Sequence, residues 1–182
     1  MLEKEIKILD IDSAEIVRKL QEFGGKKTFE GYIHDVYYDF PSGDNEHKTK
    51  MDNNKRMFRV RKKGETHLYT IKRKRKDREL VVKDEHEMEI SDIDSFSSVL
   101  EKYGMKKTRE KKKFRISFNI NGVEFDIDKY EQIPALLEIE GESNTQVQKW
   151  IDKLGLSDKK QKKFGSRSLF KYYGVPYLHL MK

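Results

Sequence analysis

Charged and apolar residues alternate along most of this sequence, and this pattern limits its fold more than any other feature. Seven segments carry a charged residue at every second position, as in residues 59–61 (Arg-Val-Arg) and 126–128 (Asp-Ile-Asp). A period of two is the period of a β-strand, whose successive side chains point to opposite faces of a sheet. The sequence therefore predicts a β-rich chain whose strands have one apolar and one charged face.

The charged faces are also segregated by sign. Residues 59–63 and 111–115 carry rows of Lys and Arg, whereas residues 85–89 and 138–140 carry rows of carboxylates. One interpretation is that every charged face simply meets solvent, as is common in antiparallel sheets. The alternative is that the charged faces point inward, because like charges repel along a strand and solvent exposure alone would favour mixed signs. We favour the inward arrangement, in which apolar helices cover the outer face of a rolled sheet.

Three amphipathic helices interrupt the strand pattern. They are predicted to begin near Asp12, Ser91 and Ser143, and each has a stripe of apolar residues followed by a glycine. Strands are predicted near residues 2–9, 27–40, 57–63, 67–75, 82–90, 110–120, 122–130 and 134–142. The polar segment 41–56 is predicted to be a loop that acts as a lid.

These elements predict an α+β fold of one domain spanning residues 1–182. The strands are expected to form a closed antiparallel barrel, a tunnel of about eight strands with a wet, charged interior and helices packed outside. A charged interior also accounts for a composition with 39% charged and only 35% hydrophobic residues. The 10 Phe and 9 Tyr argue against a disordered chain.

Composition excludes several classes of site. The chain has no Cys, so disulfides, thiolate nucleophiles and Cys-bound zinc are excluded. No apolar run approaches the ~18 residues of a membrane span, and the first residues do not resemble a signal peptide, so we expect a cytoplasmic protein without membrane contact. The formal net charge of +7 favours a polyanionic partner over a neutral one.

An internal echo links two parts of the chain. Residues 20–28 (LQEFGGKKT) resemble residues 100–108 (LEKYGMKKT), at an offset of 80 positions. The same offset aligns Glu5 with Glu85. We interpret the echo as a duplicated strand–helix–strand unit.

The order of the charged motifs resembles the CYTH superfamily, the triphosphate tunnel metalloenzymes. The matching motifs are Glu3-Lys4-Glu5-Ile6-Lys7 (ExExK), Asp35-Val36-Tyr37-Tyr38, Phe58-Arg59-Val60-Arg61, Thr70-Ile71-Lys72, Phe125-Asp126-Ile127-Asp128 and Leu137-Glu138-Ile139-Glu140. The last stretch and the third helix look most like class IV, CyaB-type adenylyl cyclases. Two positions depart from the family pattern: Glu85 stands where the family has Arg, and Leu169 stands where cyclase-like members have Tyr.

The resemblance implies an enzyme that acts on a triphosphate with Mg²⁺ or Mn²⁺. The first candidate is an adenylyl cyclase that converts ATP to cyclic AMP and pyrophosphate. The alternatives are a triphosphatase acting on tripolyphosphate, thiamine triphosphate or a nucleotide, and a non-enzymatic module that binds polyphosphate or RNA. The rows of carboxylates argue against nucleic acid as a partner, and a homodimer is left open.

Strand faces and the resemblance together give a set of candidate site residues. Side chains that would bind the triphosphate are Lys7, Arg59, Arg61, Lys72, Lys111, Lys113 and Arg115. Side chains that would hold metal are Glu3, Glu5, Glu87, Glu89, Asp128, Glu138 and Glu140. Lys7, Glu5 and Asp128 are the candidate catalytic residues.

Overall fold

A computed structural model describes residues 4–41, 56–77 and 80–175; for residues 56, 72–77 and 80–84 it describes the backbone only. The strands are β1 (Lys4–Ile8), β2 (Lys26–Asp39), β3 (Arg56–Lys63), β4 (Thr66–Asp77), β5 (Leu80–Glu89), β6 (Lys106–Ile120), β7 (Val123–Lys129), β8 (Leu136–Gly141) and β9 (Gln161–Lys162). The helices are α1 (Ser13–Glu22), α2 (Ile93–Lys102), α3 (Asn144–Lys153) and α4 (Ser166–Tyr172). The α+β class and the three predicted helices are confirmed. The predicted lid at 41–56 lies almost entirely outside the described residues.

The strands form one sheet in the order β5-β4-β3-β2-β6-β7-β8-β1-β9. The strand pairs whose register the structure describes are antiparallel, as predicted. In the part of the chain that the structure describes, no hydrogen-bonded pairing joins β5 to β9, so the predicted closed barrel is not confirmed. The described residues form nine strands where about eight were predicted.

Strand β9 and helix α4 were not predicted from the sequence. Strand β9 has only two residues, which pair with Lys7 and Ile8 of β1, and so short a strand has no detectable period. Helix α4 has seven residues and no side-chain N-cap, and its two buried residues, Leu169 and Phe170, are adjacent. Its apolar residues therefore show no helical spacing from which the sequence could have predicted it.

The chain divides into two compact units. Unit 1 consists of the described residues of Met1–Tyr32 and Lys113–Tyr177, and unit 2 of the described residues of Ile33–Lys112. Strands β2 and β6 contribute residues to both. Each unit has its own apolar cluster and its own charged face.

In unit 1, helices α1 and α3 cover one face of the sheet. Ile16 and Leu20 of α1 and Val147 and Ile151 of α3 are buried in one cluster with residues of β1, β6, β7 and β8. The strand residues of that cluster are Ile6, Ile8, Ile116, Phe118, Ile120, Val123, Phe125, Ile127, Leu137 and Ile139. They alternate with the charged residues of the same strands. The predicted division into an apolar, helix-covered face and a charged face is therefore confirmed in this unit.

In unit 2, helix α2 covers the apolar face less completely. Tyr38, Val60, Tyr69 and Met105 are the buried members of the cluster, and Phe96 of α2 packs its ring 4.8 Å from that of Tyr69. No residue of α2 is itself buried. The charged residues of β2 and β3 alternate with those of this cluster, as they do in unit 1.

The sequence echo corresponds to matching local structure. Helices α1 and α2 are capped by Asp12 and Asp92, which are 80 positions apart and each accept two backbone hydrogen bonds. Both helices are followed by a glycine with positive φ, Gly24 at 78° and Gly104 at 91°. Strands β2 and β6 begin at Lys26 and Lys106, at the same offset.

We expect Phe125→Ala to lower the free energy of unfolding by about 3–5 kcal/mol, because its fully buried ring would leave a cavity in unit 1. Urea denaturation monitored by circular dichroism measures this change. Tyr103→Ala is the matched control, because that side chain is 74% exposed, and its change should stay within about 0.5 kcal/mol. Equal losses in the two variants would contradict the assignment of the core.

Candidate functional site

The charged face of unit 1 is built by strands β6, β7, β8 and β1. Because residues directly opposite each other in antiparallel strands point to the same face, the register aligns side chains into rows. One row contains Ser117, Asp126, Glu138 and Lys7, and the next contains Asn119, Glu124, Glu140 and Glu5. The ExExK strand and the two acidic strands therefore share one face, as the sequence predicted.

Lys7 is a buried cation of this face. Its ammonium forms ion pairs with Glu5 on its own strand and with Glu138 on β8, the latter at 3.0 Å. The Lys7 side chain is 9% exposed, whereas that of Glu5 is 39% exposed. Lys7 is therefore fixed between two carboxylates, one of which remains open to solvent.

Arg115 and Lys113 are held by Asp128, whose side chain is fully buried. The Arg115 Nε and Nη2 atoms donate to the two Asp128 carboxylate oxygens at 2.5 and 2.7 Å, and Lys113 Nζ donates to Asp128 Oδ2 at 2.5 Å. Arg115 also donates to Glu138 at 2.8 Å and to Asp126. This bidentate geometry is the strong form of a charge-assisted hydrogen bond and fixes the plane of the guanidinium group.

In unit 1, the pKa shifts of Glu138 and Arg115 both favour the charged form of the side chain. Burial alone would raise the pKa of Glu138, but Lys113, Arg115 and Lys7 hold it well below its usual range. Burial would likewise lower the pKa of Arg115, but Asp128, Glu138 and Asp126 raise it further above its ordinary value. These opposite shifts have one cause, the pairing of buried charges of opposite sign.

The charged face of unit 2 is organised around Asp35. Arg61 Nε and Nη2 donate to the two Asp35 oxygens at 2.6 and 3.0 Å, and Lys111 Nζ lies 3.3 Å from Asp35 Oδ2. Asp35 is fully buried, and the side chains of Arg61 and Lys111 are 14% and 11% exposed. Unit 2 therefore contains the same arrangement as unit 1, a buried aspartate that holds one arginine and one lysine.

Arg59 occupies the next row of unit 2. Its Nη2 atom donates to Thr70 Oγ1 at 2.9 Å and to Glu87 at 3.3 Å, and it lies 3.6 Å from Glu85. Thr70 in turn donates to Glu87 at 2.9 Å. Among the described residues, the buried Nε atom of Arg59 has no hydrogen-bond partner. Glu85, the departure from the family pattern, therefore lies beside a cation.

The surroundings of Asp35 and Tyr37 in unit 2 shift the pKa of the carboxylic acid and of the phenol in opposite directions. Burial would raise the pKa of Asp35, but the hydrogen bond from Arg61 and the charges of Lys111, Arg61 and Arg59 hold it well below its usual range. Burial and the neighbouring Asp35 carboxylate raise the pKa of Tyr37 to about 12. Asp35 is therefore ionised and Tyr37 protonated at neutral pH.

The structure distributes the predicted site residues between the two units. Unit 1 brings together Lys7, Glu5, Lys113, Arg115, Asp128, Glu138 and Glu140 on one face. Unit 2 brings together Arg59, Arg61, Lys111 and Glu87, and places exposed Glu89 on the same face. The register places Lys72 opposite Met57 and Glu85, but its side chain is not described. Glu3 lies outside the described residues.

Some charged residues of these faces were not among the candidates. Asp126 and Glu124 share the parity of Asp128, and Asp126 accepts hydrogen bonds from Arg115 and Ser117. Arg109 shares the parity of Lys111, and its guanidinium carbon lies 3.9 Å from the centroid of the Tyr37 ring. Asp35 was recognised only as part of a motif. Extending the alternating pattern along β6 and β7 would have identified Asp126, Glu124 and Arg109. The role of Asp35, by contrast, depends on cross-strand contacts.

The carboxylates of unit 1 fit a hard divalent cation by their chemistry, since Mg²⁺ and Mn²⁺ prefer oxygen ligands. The oxygens of Glu5, Glu138, Asp126 and Asp128 contact Lys or Arg side chains here. Within the described ranges, no group of three or more acidic or histidine side chains is arranged as a metal site. The donor set is therefore suitable, but its oxygens are engaged by the protein's own cations.

We expect Glu138 to stabilise the folded state at neutral pH and to lose this effect in acid. A carboxyl group with a lowered pKa in the folded state contributes stability above its unfolded-state pKa of about 4.3. The contribution is lost as the pH falls through the lower, folded-state pKa. Urea unfolding between pH 6 and pH 2 should show a fall in stability that is shallower in Glu138→Gln. The difference should be about 1.4 kcal/mol for each tenfold difference in proton affinity between the folded and unfolded states.

The matched control for this measurement is Glu22→Gln. Glu22 pairs with Arg18 on exposed positions of α1, so its loss should leave the pH dependence almost unchanged. A Glu138→Gln protein with the pH dependence of the wild type would contradict the ion-pair network.

Comparison with solved structures shows that this fold occurs in several organisms. A Pyrococcus horikoshii protein has 22% sequence identity, a TM-score of 0.67 and coverage of 100% of both chains. A putative adenylate cyclase from Vibrio parahaemolyticus has 15% identity and a TM-score of 0.73, with 94% of this chain and 98% of that chain covered. A Hippeastrum protein, a putative adenylyl cyclase described as having a dominant triphosphatase activity, has 14% identity and a TM-score of 0.59, with 96% and 97% covered. At these identities the likeness shows the fold alone.

Further findings concern the whole sequence and the described helices. No curated protein matches the sequence. No helix among the described residues is long and apolar enough to cross a membrane. The family model of the CYTH domain, by contrast, matches residues 1–165, which is most of the chain. This match includes both charged faces, and on it the chain belongs to the CYTH domain family.

Proposed function

We propose that the chain is an enzyme that acts on a triphosphate with the help of a divalent cation. The observation that carries this proposal is the pairing of buried cations and carboxylates on one sheet face in each unit. A triphosphate presents several anionic oxygens, and a hard cation requires oxygen ligands, so a site for the pair needs side chains of both signs.

The charged face of each unit carries side chains of both signs, and this supports a ligand that combines phosphate with a metal ion. The face of unit 1 has more carboxylates than cations, since Glu5, Glu124, Asp126, Asp128, Glu138 and Glu140 accompany Lys7, Lys113 and Arg115. The described face of unit 2 carries Arg59, Arg61, Arg109 and Lys111 together with the carboxylates of Asp35, Glu85, Glu87 and Glu89. Carboxylates attract metal ions, and Lys and Arg side chains attract phosphate.

The phosphate ligands in this proposal are Lys7, Arg59, Arg61, Lys72, Lys111, Lys113 and Arg115. Their part in the reaction is to bind, orient and neutralise the phosphate oxygens. The Nε donor of Arg59, which has no partner among the described residues, supports this role, because an unpaired buried donor costs free energy that an anionic acceptor would recover.

The proposed metal ligands are the carboxylates of Glu3, Glu5, Glu87, Glu89, Asp128, Glu138 and Glu140. Mg²⁺ or Mn²⁺ bound there would neutralise charge that develops on the phosphate oxygens. Lys7 lies between Glu5 and Glu138, so its ammonium is placed to pair with a phosphate oxygen in place of one of these carboxylates.

Two reactions fit this arrangement. In a cyclase, the ribose 3′-oxygen forms a bond to the α-phosphorus while the bond to pyrophosphate breaks. In a triphosphatase, water forms a bond to the terminal phosphorus while the bond from that phosphorus to the bridging oxygen breaks, so the diphosphate leaves and the terminal group becomes inorganic phosphate. Both are in-line displacements that depend on positioning and electrostatic stabilisation. We put the cyclase first on the similarity of the sequence to class IV enzymes, and the relative described with dominant triphosphatase activity supports the second candidate.

One experiment tests the function and separates the two reactions. The protein is incubated with ATP, tripolyphosphate or thiamine triphosphate, each with Mg²⁺, Mn²⁺ or excess EDTA. Cyclic AMP, pyrophosphate and phosphate are measured separately. Cyclic AMP with equimolar pyrophosphate identifies a cyclase, and phosphate release identifies a triphosphatase. Tight binding without any product in all conditions would identify a binding module and contradict the proposal.

We expect Glu5→Ala and Glu140→Ala to lower turnover by at least about 100-fold, because each removes a carboxylate from the predicted metal site. Circular dichroism should show an intact fold, since the apolar face of unit 1 is unchanged. Raising the Mn²⁺ concentration should restore part of the activity if the lost function is metal binding.

The matched control is Glu142→Ala, two residues after Glu140 and exposed at the end of β8. Its turnover should equal that of the wild type. Wild-type turnover in Glu140→Ala at limiting Mg²⁺ would count against the metal role of this row.

A further inference from the structure

We propose that Asp35 is a positioning residue, which fixes Arg61 and Lys111 in the orientation that a triphosphate requires. This role rests on the proposed function and adds to it a residue that does not touch the substrate. The observation behind it is the contact of both Asp35 oxygens with these two cations.

The surroundings of Asp35 exclude direct contact with a ligand. Its side chain is fully buried, so solvent does not reach it. Arg61 occupies both carboxylate oxygens, and Lys111 and the Tyr37 hydroxyl approach Oδ2 at 3.3 and 3.4 Å. Asp35 therefore acts through its neighbours.

The geometry restricts the two cations in different ways. Two parallel N–H···O bonds fix the guanidinium plane of Arg61, because its donors form a rigid fork. The ammonium of Lys111 is fixed only in distance, 3.3 Å from the carboxylate. Both long side chains thereby lose conformational freedom during folding, before a ligand binds.

The charge of Asp35 has a second consequence. Arg59, Arg61 and Lys111 all act on the Asp35 carboxylate, and Arg109 stacks on the neighbouring Tyr37. Without a carboxylate among them, these cations would repel one another and take other rotamers. Removing Asp35 should therefore change where the cations lie more than how strongly unit 2 attracts anions.

The test compares Asp35→Glu with Asp39→Glu. Asp35→Glu keeps the charge but lengthens the side chain by one methylene, which displaces the carboxylate from its present position. Asp39 is exposed on the same strand, so Asp39→Glu is a control for the same chemical change. The measurements are kcat, the Kd of tripolyphosphate by calorimetry, and the melting temperature of each variant.

Positioning predicts a separation of these quantities in Asp35→Glu. We expect kcat to fall by about 100-fold, the scale of a misplacement of about 1 Å, while the Kd changes less than about threefold. Asp39→Glu should match the wild type in all three measurements. A wild-type kcat in folded Asp35→Glu would overturn the proposal, and so would a loss of binding as large as the loss of kcat.

Asp35→Asn provides a second variant of the native shape, should the longer side chain prevent folding. It raises the positive charge of unit 2, so tripolyphosphate should bind at least as tightly as to the wild type while kcat falls. A lower melting temperature with unchanged kcat would show that Asp35 is only a structural ion-pair partner. A wild-type protein that turns over no triphosphate would overturn the proposed function itself, and this role with it.

Discussion

The structure depends on ion pairs formed across neighbouring strands. Lys7, Asp35, Arg59, Lys113 and Asp128 are all buried, although a buried unpaired charge costs far more than a domain can tolerate. They are tolerated because each contacts a side chain of opposite sign, with bidentate arginine geometry at Asp35 and Asp128. Such pairs need not stabilise the fold relative to apolar residues. Their presence in several rows supports the proposed binding of a charged ligand.

This pairing constrains the strand register. A shift of one residue would move every charged side chain to the apolar face and every apolar side chain away from the helices. In unit 1, α1 and α3 stabilise the correct register by burying Ile139 and its neighbours completely. In unit 2, α2 has no buried residue, so the charged contacts of Arg61 and Asp35 carry more of the register there. The apolar and the charged faces therefore specify one another.

Much of this organisation could be predicted from the sequence, because a strand period of two assigns each residue to a face. Alternate positions along the strands placed Arg59, Arg61 and Glu87 on one face, and the structure confirms this placement. Parity does not show which strands are neighbours, so the Asp35 contact with Lys111, 76 positions along the chain, could not be predicted. The period of the sequence also could not show whether the two edge strands of the sheet pair, since closure depends on long-range pairing. The two-residue β9 is too short to show any period.

A network whose charges are already paired is well suited to bind a charged ligand. An exposed lysine or arginine must lose rotamer freedom and water when it binds phosphate. Lys7 and Arg115 have lost most of both on folding, since carboxylates already hold them in buried positions. In the proposed function, phosphate binding would exchange one anionic partner for another, and the displaced carboxylate oxygens would become available to a metal ion. In the proposed function, the ion pairs of the structure would keep these side chains in place for a triphosphate and its cation.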